Sequence, residues 1–201
     1  MTEIKKACKI LNEGGVICFA TETVYALACD ATNDQAVAKL YAIKKRDKKK
    51  PIAIFAQNIE QAQEFLHFDP AEKALAQNFM PGALTLILQK KCDAVKISPF
   101  LNEDDKNIGL RIPNHQFSLA LLENFNKPIA ATSANLSSLP PAVNFEEAQK
   151  KFANKANLII DGGECAHKIA STVVKIDDDL QILREGALPA KKLKEFYERI
   201  I

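Results

Sequence analysis

The amino-acid sequence predicts an α/β or α+β fold with a mixed β-sheet, in one domain covering residues 1–201. Two patterns lead to this fold class. Apolar runs of strand length alternate with amphipathic segments of helix length along most of the chain. The last predicted strands lie close together in sequence, which favours a mixed sheet over a purely parallel one. With 47% hydrophobic and 26% charged residues, the chain can bury a core without metals or disulfides.

The first segment predicts a helix followed by a buried strand. Apolar residues recur at helical spacing within 2–13, and Gly14 supplies a stop. Residues 16–20 form a short apolar run, which predicts a strand. The next segment, 21–28, has neither helical nor alternating periodicity, so no element is assigned to it.

A second helix is predicted for 34–45, where Asn33 can act as the N-cap. The residues that share one face at three- and four-residue spacing are Val37, Leu40, Tyr41 and Lys44. A strand is predicted for 52–56, directly after Pro51. Helices follow at 58–67 and 70–79.

The helix at 70–79 has the clearest start signal in the sequence. Asp69 can cap it, Pro70 occupies the first helical position, and Glu72 lies three residues after the cap. The remaining predicted elements are strands 83–89 and 108–112, helix 114–126, strand 129–132, helix 144–153, strands 157–161, 171–176 and 180–184, and helix 190–200, with a turn at 177–179.

Charge and cysteine usage exclude several classes of protein. The 27 Lys and Arg nearly balance the 25 Asp and Glu, so net charge does not identify a nucleic-acid binder. The five cysteines are Cys8, Cys18, Cys29, Cys92 and Cys165. Because no two have C-x-x-C spacing, we expect buried free thiols in a reducing compartment, with no structural zinc and no disulfides.

The sequence predicts a cytoplasmic protein without membrane contact. Its N-terminal apolar run is too short for a signal-peptide core, and no run approaches the ~20 residues that span a bilayer. The phosphate-binding and dinucleotide-binding glycine motifs, the H-E-x-x-H zinc motif and the G-x-S-x-G nucleophile motif are absent.

The densest charge lies at 44–50, where six of seven residues are basic. A solvated helix C-terminus and an anion site for phosphates or nucleic-acid backbone explain this run about equally well. Lys44 and Arg46 can share a face only if the chain leaves the helix there, and Pro51 favours such an end. We expect both side chains to be solvated, so that replacing either one leaves the fold intact.

Two polar clusters follow predicted strands, at 21–25 and 131–138. Ligands of α/β sheets often bind beyond strand ends, but a capped turn explains the second cluster more simply. Arg111 is a charge inside an apolar strand, which indicates an anionic partner from the protein or a ligand. Ser171 and Arg184 are weaker cases of the same kind.

Seven short motifs occur in order between about residue 10 and residue 188. They are Ala20–Leu27 for P-T-E-T-V-Y-G-L, Lys44–Arg46 for K-x-R, Pro81–Thr85 for P-G-x-x-T, Arg111–Pro113 for R-x-P, Ser133–Asn135 for S-x-N, Ser171–Val173 for S-T-V, and Leu183–Gly186 for L-R-x-G. Each motif is weak alone, but in this order they resemble the YrdC/TsaC family, the threonylcarbamoyl-AMP synthases, in its short single-domain form. The sequence departs from the family pattern at Ala20, Ala26, Ser138 and Ala170.

The resemblance implies a twisted, open, mixed β-sheet with flanking helices and a basic concave cleft. It implies an enzyme, a nucleotidyltransferase that converts L-threonine, bicarbonate and ATP into threonylcarbamoyl-AMP and pyrophosphate. The product would serve partner proteins that form threonylcarbamoyladenosine beside the anticodon of tRNA. Mg²⁺ would accompany the triphosphate, and direct RNA binding is a further implied possibility.

The resemblance also implies roles for nine residues. The catalytic set is Lys44, Arg46, Ser133 and Asn135. The ATP-binding set contains the same four residues together with Thr85, Ser171 and Arg184. Thr23 and Arg111 would bind threonine, with Arg111 facing its carboxylate. No residue is assigned to a metal.

Two other functions remain open on the sequence. A non-catalytic RNA-binding or ribosome-assembly module, similar to YciO, would use the same basic cleft. With three Tyr and no Trp, the chain offers few aromatic side chains for base stacking, which weakens that reading. A carbamoyl-adenylating relative of the hydrogenase-maturation proteins is favoured less, because their additional zinc and acylphosphatase-like segments are absent.

Overall fold

A computed structural model describes residues 2–47, 50–91, 97–102 and 106–201. Of the residues singled out above, Lys48, Lys49 and Cys92 lie outside these ranges. The helices are α1 Glu3–Asn12, α2 Asp34–Lys44, α3 Ile59–Gln63, α4 Pro70–Phe79, α5 Gln116–Phe125, α6 Phe145–Phe152 and α7 Ala190–Tyr197, with a 3₁₀ turn at Pro99–Leu101. The strands are β1 Ile17–Phe19, β2 Ala26–Asp30, β3 Ala53–Phe55, β4 Leu84–Gln89, β5 Asn107–Arg111, β6 Ile129–Ser133, β7 Leu158–Ile159, β8 Thr172–Ile176 and β9 Leu180–Arg184.

The strands in these ranges form one open sheet in the order β7-β1-β2-β6-β3-β5-β4-β8-β9. Its pairings are mixed: β3 with β5 and β4 with β8 are parallel, whereas β2 with β6 and β8 with β9 are antiparallel. Helices lie on both faces. The predicted open mixed sheet with flanking helices is therefore confirmed.

The two faces of the sheet are covered unequally. One face is packed by α2, α3, α4, α6 and α7 around buried residues such as Leu40, Leu75 and Phe152. On the other face, α1 and α5 are the only described helices that pack, through Leu11 and Leu122 among others, against β1, β2 and β6. On this second face, the part formed by β3, β5, β4 and β8 is left for a cavity.

The caps of the helices follow the sequence signals. Asn33 accepts a hydrogen bond from the Ala36 amide at the start of α2. Asp69 and Glu72 form the predicted capping box of α4. Helix α2 ends at Lys44 because Lys45 adopts a left-handed conformation with φ of 51°. The chain thus leaves the helix between Lys44 and Arg46, as predicted.

Two elements differ most from the sequence prediction, and smaller differences occur at element ends, as in α7, which ends at Tyr197 rather than at residue 200. Strand β2 (Ala26–Asp30) had no predicted counterpart, because all five of its residues are buried and the alternating pattern is lost. Helix α3 ends at Gln63 rather than at residue 67, because Leu66 turns away to form a β-bridge with Lys90.

The described thiols fit the prediction of unpaired cysteines in the interior. Cys18, Cys29 and Cys165 are buried and free, and Cys8 is half-buried and free. Burial raises the pKa of Cys18 to about 12 and that of Cys165 to about 11. In the part of the chain that the structure describes, no helix is both long and apolar enough to span a bilayer.

Candidate active site

A cavity of about 240 Å³ lies on the part of the sheet that α1 and α5 leave uncovered. Its floor consists of small side chains on adjacent strands, because Ala131 pairs with Ala53 and Gly109 lies beside Ala53. A Cβ atom on Gly109 would lie 3.3 Å from the Ala53 Cβ and 3.0 Å from the Thr85 Cγ2. The floor therefore lies close to the backbone, which leaves room for a ligand above it.

Three guanidinium groups surround this cavity: those of Arg46, Arg111 and Arg184. Burial lowers the pKa of Arg184, and the charges of Arg111 and Arg46 lower it further. The charges of Arg46 and Arg111 therefore both act on Arg184. Among the described residues, a carboxylate forms an ion pair with Arg111, but none does so with Arg46 or Arg184. This excess of positive charge suits a ligand with several negative charges.

Arg46 reaches the cavity from the segment that follows α2. Its Nε donates to the Lys50 carbonyl at 3.0 Å, and its Nη2 donates to the Pro51 carbonyl at 3.0 Å. These two bonds fix the guanidinium group at the edge of the cavity. Burial lowers the pKa of Arg46.

Arg184 faces the cavity because β9 contains a β-bulge. Val174 pairs with Ile182, whereas Val173 pairs with Arg184, so Leu183 is the extra residue. In a regular strand, residues 182 and 184 would point to the same face. Ile182 packs against the core, and the bulge turns Arg184 to the opposite face, beside Val173.

Hydroxyl groups lie next to Arg184. Thr85 Oγ1 and Ser171 Oγ are 2.7 Å apart and share a hydrogen bond. Arg184 Nη2 donates to the Ser171 carbonyl at 2.8 Å and approaches Ser171 Oγ at 3.4 Å. Three of the predicted ATP-binding residues are thus joined in one hydrogen-bonded group on the cavity wall.

A buried carboxylate, that of Glu22, holds the guanidinium group of Arg111 in place. Its Nη2 lies 2.8 Å from Glu22 Oε1, in an ion pair whose side chains are 6% and 10% exposed. Its Nε donates to the Gly82 carbonyl at 3.2 Å, and its guanidinium carbon lies 5.4 Å from the centre of the Phe55 ring. Burial lowers the pKa of Arg111, and Glu22 opposes this shift. None of these contacts uses Nη1.

Lys44 does not line the cavity, and its expected solvation is wrong, because the residue is 1% exposed. Its Nζ donates to the carbonyls of Ser133 at 2.6 Å and Asn135 at 3.2 Å, and to Asn135 Oδ1 at 2.7 Å. The sequence contained the signal for this burial. Lys44 continues the three- and four-residue spacing of Val37 and Tyr41, which form the buried face of α2.

Asn135 is likewise engaged inside the loop that follows β6. Its Oδ1 also accepts a hydrogen bond from Ser133 Oγ at 2.7 Å. Its Nδ2 donates to the carbonyls of Leu136 and Leu139. Ser133 lines the cavity, whereas Asn135 does not.

Thr23, the other predicted threonine-binding residue, is fully buried. Its hydroxyl lies 2.8 Å from Thr21 Oγ1, and Thr21 Oγ1 donates to the Val24 carbonyl at 2.7 Å. Thr21 lines the cavity and Thr23 does not.

The structure brings six of the nine predicted residues to one cavity. They are Arg46, Thr85, Arg111, Ser133, Ser171 and Arg184. The other three predicted residues, Lys44, Asn135 and Thr23, do not line the cavity. Sequence reasoning assigned no role to Glu22 or Gly109, although both lie inside or beside the motifs that it used. Within the described ranges, no group of three or more His, Cys, Asp or Glu side chains could hold a metal ion.

Comparisons with known proteins agree with this architecture. The chain matches the profile of the Sua5/YciO/YrdC family, described as telomere recombination, over residues 9–186. The threonylcarbamoyl-AMP synthase of Bacillus subtilis (strain 168) is 36% identical over 96% of this chain and 56% of the relative. A crystal structure of P. abyssi Sua5 complexed with L-threonine matches with a TM-score of 0.91 and 32% identity, over 96% of this chain and 56% of that one.

E. coli YciO matches with a TM-score of 0.85 and 26% identity, over 94% of this chain and 92% of that one. The chain therefore spans about half the length of the B. subtilis and P. abyssi proteins and nearly all of YciO. The match to the family profile covers most of the sequence, including every motif that contributes a side chain to the cavity. This chain belongs to the Sua5/YciO/YrdC family.

Proposed function

We propose that this chain is an L-threonylcarbamoyladenylate synthase, which forms threonylcarbamoyl-AMP and pyrophosphate from L-threonine, bicarbonate and ATP. The observation that carries the proposal is the convergence of Arg46, Arg111 and Arg184 on one cavity, with one partner carboxylate among the described residues. The reaction brings together a triphosphate, a carbamate and an amino-acid carboxylate, all of them anions. A preorganised group of cations and hydroxyls is what such a reaction requires.

The nucleotide would bind above the floor formed by Ala53, Gly109 and Ala131. Arg46 and Arg184 approach it from segments after α2 and at the end of β9, so they can contact different phosphates of one triphosphate. The hydroxyls of Ser133, Thr85 and Ser171 would complete this site. We propose Mg²⁺ as part of the nucleotide substrate, bound to its phosphates rather than to a protein cluster.

L-threonine would bind on the side of Arg111. Its Nη1 is not used in the contacts to Glu22, Gly82 and Phe55, so it can donate to the substrate carboxylate. Thr21 lines the cavity wall, where Thr23 and the Val24 carbonyl hold its hydroxyl in place. The P. abyssi relative was crystallised with L-threonine, which supports the same amino-acid substrate here.

The chemistry needs two bond-forming steps and no covalent intermediate on the protein. The threonine nitrogen attacks CO₂ derived from bicarbonate, with loss of water, and forms a carbamate. A carbamate oxygen then attacks the α-phosphorus, and the bond to the β-phosphate oxygen breaks, releasing pyrophosphate. The arginines would neutralise the charge that gathers as these groups approach, and the cavity would hold them in line.

We further propose that the product serves proteins that modify adenosine in tRNA, and that the protein works in the cytoplasm. The carbamoyl-adenylate is a mixed anhydride, so it hydrolyses unless an acceptor enzyme consumes it. The B. subtilis relative named threonylcarbamoyl-AMP synthase supports the formation of this product.

Pyrophosphate release tests the proposal directly. Purified protein would be incubated with ATP, Mg²⁺ and bicarbonate, with L-threonine, with L-serine or without an amino acid. We expect release that requires L-threonine and exceeds the L-serine reaction. Release that is independent of an amino acid would indicate ATP hydrolysis instead. No release, together with RNA binding that falls steeply with salt, would replace the enzyme with an RNA-binding module.

A further inference from the structure

The side chain of Lys44 is completely engaged within the protein. An ammonium group carries three hydrogens, and Lys44 Nζ has three acceptors: the carbonyls of Ser133 and Asn135 and the Oδ1 of Asn135. The residue is 1% exposed and does not line the cavity. Its own carbonyl accepts a hydrogen bond from the Ser137 amide at 3.1 Å. Both the side chain and the backbone of Lys44 therefore bind one segment, which we call the Ser133–Ser137 loop.

We propose that Lys44 is a positioning residue, which anchors the Ser133–Ser137 loop to the end of α2 and acts on the nucleotide only through Ser133. This assignment rests on the proposed nucleotide site. It differs from the role that the sequence resemblance implies, in which Lys44 itself holds the triphosphate. The residue that touches the ligand is then Ser133, whose side chain faces the cavity.

The hydrogen bonds of Asn135 explain why an anchor is needed. Asn135 Oδ1 accepts from both Lys44 Nζ and Ser133 Oγ, at 2.7 Å each. The hydroxyl of Ser133 has one hydrogen, and it must leave Asn135 before it can donate to a phosphate. Lys44 keeps Asn135 Oδ1 paired after that change, so Ser133 can turn to a ligand without leaving this half-buried oxygen unsatisfied.

The anchor must be a lysine for a geometric reason. Three acceptors converge on one nitrogen, which suits the compact ammonium group of lysine. The planar guanidinium group of arginine spreads its donors along a fork and cannot direct three of them to one point. Arginine would serve well for a direct phosphate contact, so the two roles predict different results for one substitution.

A double-mutant cycle with ATP affinity as the readout tests the assignment. The variants are Lys44→Met, Ser133→Ala and the double variant, with ATP binding measured by calorimetry without threonine. We expect each single variant to weaken binding roughly tenfold, and the double variant to weaken it no more than about tenfold in total, because both remove the same contact. Independent effects, near a hundredfold in the double variant, would mean that Lys44 contacts the ligand itself.

Lys39→Met is the matched control for this cycle. Lys39 is on the same helix and donates to a main-chain carbonyl, that of Gly14 at 3.0 Å, but it lies outside the loop and the cavity. We expect its ATP affinity to equal that of the wild type. A tenfold loss in this control would assign the effect of Lys44→Met to general damage of α2.

Two further measurements keep the assignment testable if Lys44→Met folds poorly or if the proposed function fails. Lys44→Arg keeps the charge, and we expect it to bind ATP as weakly as Lys44→Met; wild-type affinity in Lys44→Arg would overturn the anchor. Amide hydrogen exchange requires no ligand. We expect the Ser137 amide to exchange at least tenfold faster in the Lys44 variants, and unchanged protection would overturn the anchor whatever the protein binds.

Discussion

One face of the sheet has two parts that differ in composition and in what covers them. The part at β1, β2 and β6, which we call the covered half, packs under α1 and α5 and holds bulky side chains such as Ile17 and Phe19. The part at β3, β5, β4 and β8, the open half, presents Ala53, Gly109 and Thr85 and holds most of the cavity, which Ala131 and Ser133 at the end of β6 border.

In both halves, successive side chains of a strand point to opposite faces of the sheet. This two-residue period alone therefore does not distinguish core positions from positions that line the cavity. The difference lies in what occupies the outward positions. In the covered half they are apolar and meet a helix. In the open half, small or polar side chains such as Ala53, Gly109 and Thr85 stand among the apolar Phe55, Ile87 and Val173, and Arg111 and Arg184 stand at the end of their strands. Small and charged residues at the positions where a core requires bulk thus mark the part of a sheet that binds a ligand.

The comparison predicts that the covered half governs stability. Phe19 is 1% exposed and packs against Phe117, with ring centres 5.8 Å apart. We expect Phe19→Ala to lower the free energy of unfolding by about 3–5 kcal/mol, since it deletes a buried ring and leaves a cavity. Urea denaturation measures this change. Ile201→Ala, at a position 79% exposed, is the control and should change stability by less than about 0.5 kcal/mol.

Activity per folded molecule should survive Phe19→Ala at temperatures well below its unfolding midpoint. Loss of pyrophosphate release in protein that is still folded would show that the two halves are not independent.

The open half should govern activity instead. We expect Arg46→Ala to lower the rate of pyrophosphate release roughly 100-fold, or about 2.7 kcal/mol, because it removes a fixed cation from the reacting phosphates. Stability should change by about 1 kcal/mol or less, since Arg46 loses only hydrogen bonds to the carbonyls of Lys50 and Pro51. Arg199→Ala is matched, because Arg199 Nε also donates to a carbonyl, that of Glu195 at 3.0 Å, away from the cavity. Equal rates in the two variants would remove Arg46 from the site.

Much of the fold was predictable because local signals agree with it. The capping box at Asp69 and Glu72 placed α4, and the polar turn at 177–179 placed the β8–β9 hairpin. Strand β2 was not predictable from an alternation of apolar and polar residues, because a strand that is buried on both faces has no polar side.

Six of the nine residues predicted for the site line one cavity, but their arrangement there was not predictable. No local pattern shows that Glu22 pairs with Arg111, because 89 residues separate them and only the fold brings them within 2.8 Å. The bulge at Leu183 has no glycine to signal it, yet it decides which face Arg184 takes. The run of basic residues at 44–50 suggested solvation, whereas the helical spacing of Lys44 with Tyr41 indicated burial, and the spacing was the better guide.

A smaller change tests the floor of the open half. We expect Gly109→Ala to reduce ATP affinity about tenfold, because the added methyl group stands 3.0 Å from Thr85 Cγ2 and 3.5 Å from Ile87 Cδ1 and raises the floor. Calorimetric titration with ATP measures the loss, and urea denaturation of the same variant is the control. If Gly109→Ala lowers the free energy of unfolding by more than about 3 kcal/mol but leaves ATP affinity unchanged, the ligand does not lie over Gly109.

The smallest expected effect is a dependence of ATP affinity on pH. Burial, and then the charge of Arg46, lower the pKa of Lys44 to about 7, while its three acceptors require the charged form. Above pH 7 the amine loses one hydrogen, and one acceptor of the Ser133–Ser137 loop is left unpaired. We therefore expect affinity to fall a few-fold between pH 6.5 and 8 in the wild type. Lys44→Met should bind weakly and with no such slope.

The same titration should move stability in the opposite direction, which separates it from general unfolding. The folded pKa of Lys44, about 7, lies below the ordinary value of 10.5 that applies to the unfolded chain. Between these values the unfolded chain binds the extra proton, so the contribution of Lys44 to the free energy of unfolding rises with pH above 7. The urea midpoint of the wild type, measured relative to that of Lys44→Met, should therefore be higher at pH 8 than at pH 6.5. ATP affinity should fall over the same pH range. Stability and affinity that fall together would instead indicate that the loop loosens because the whole fold does.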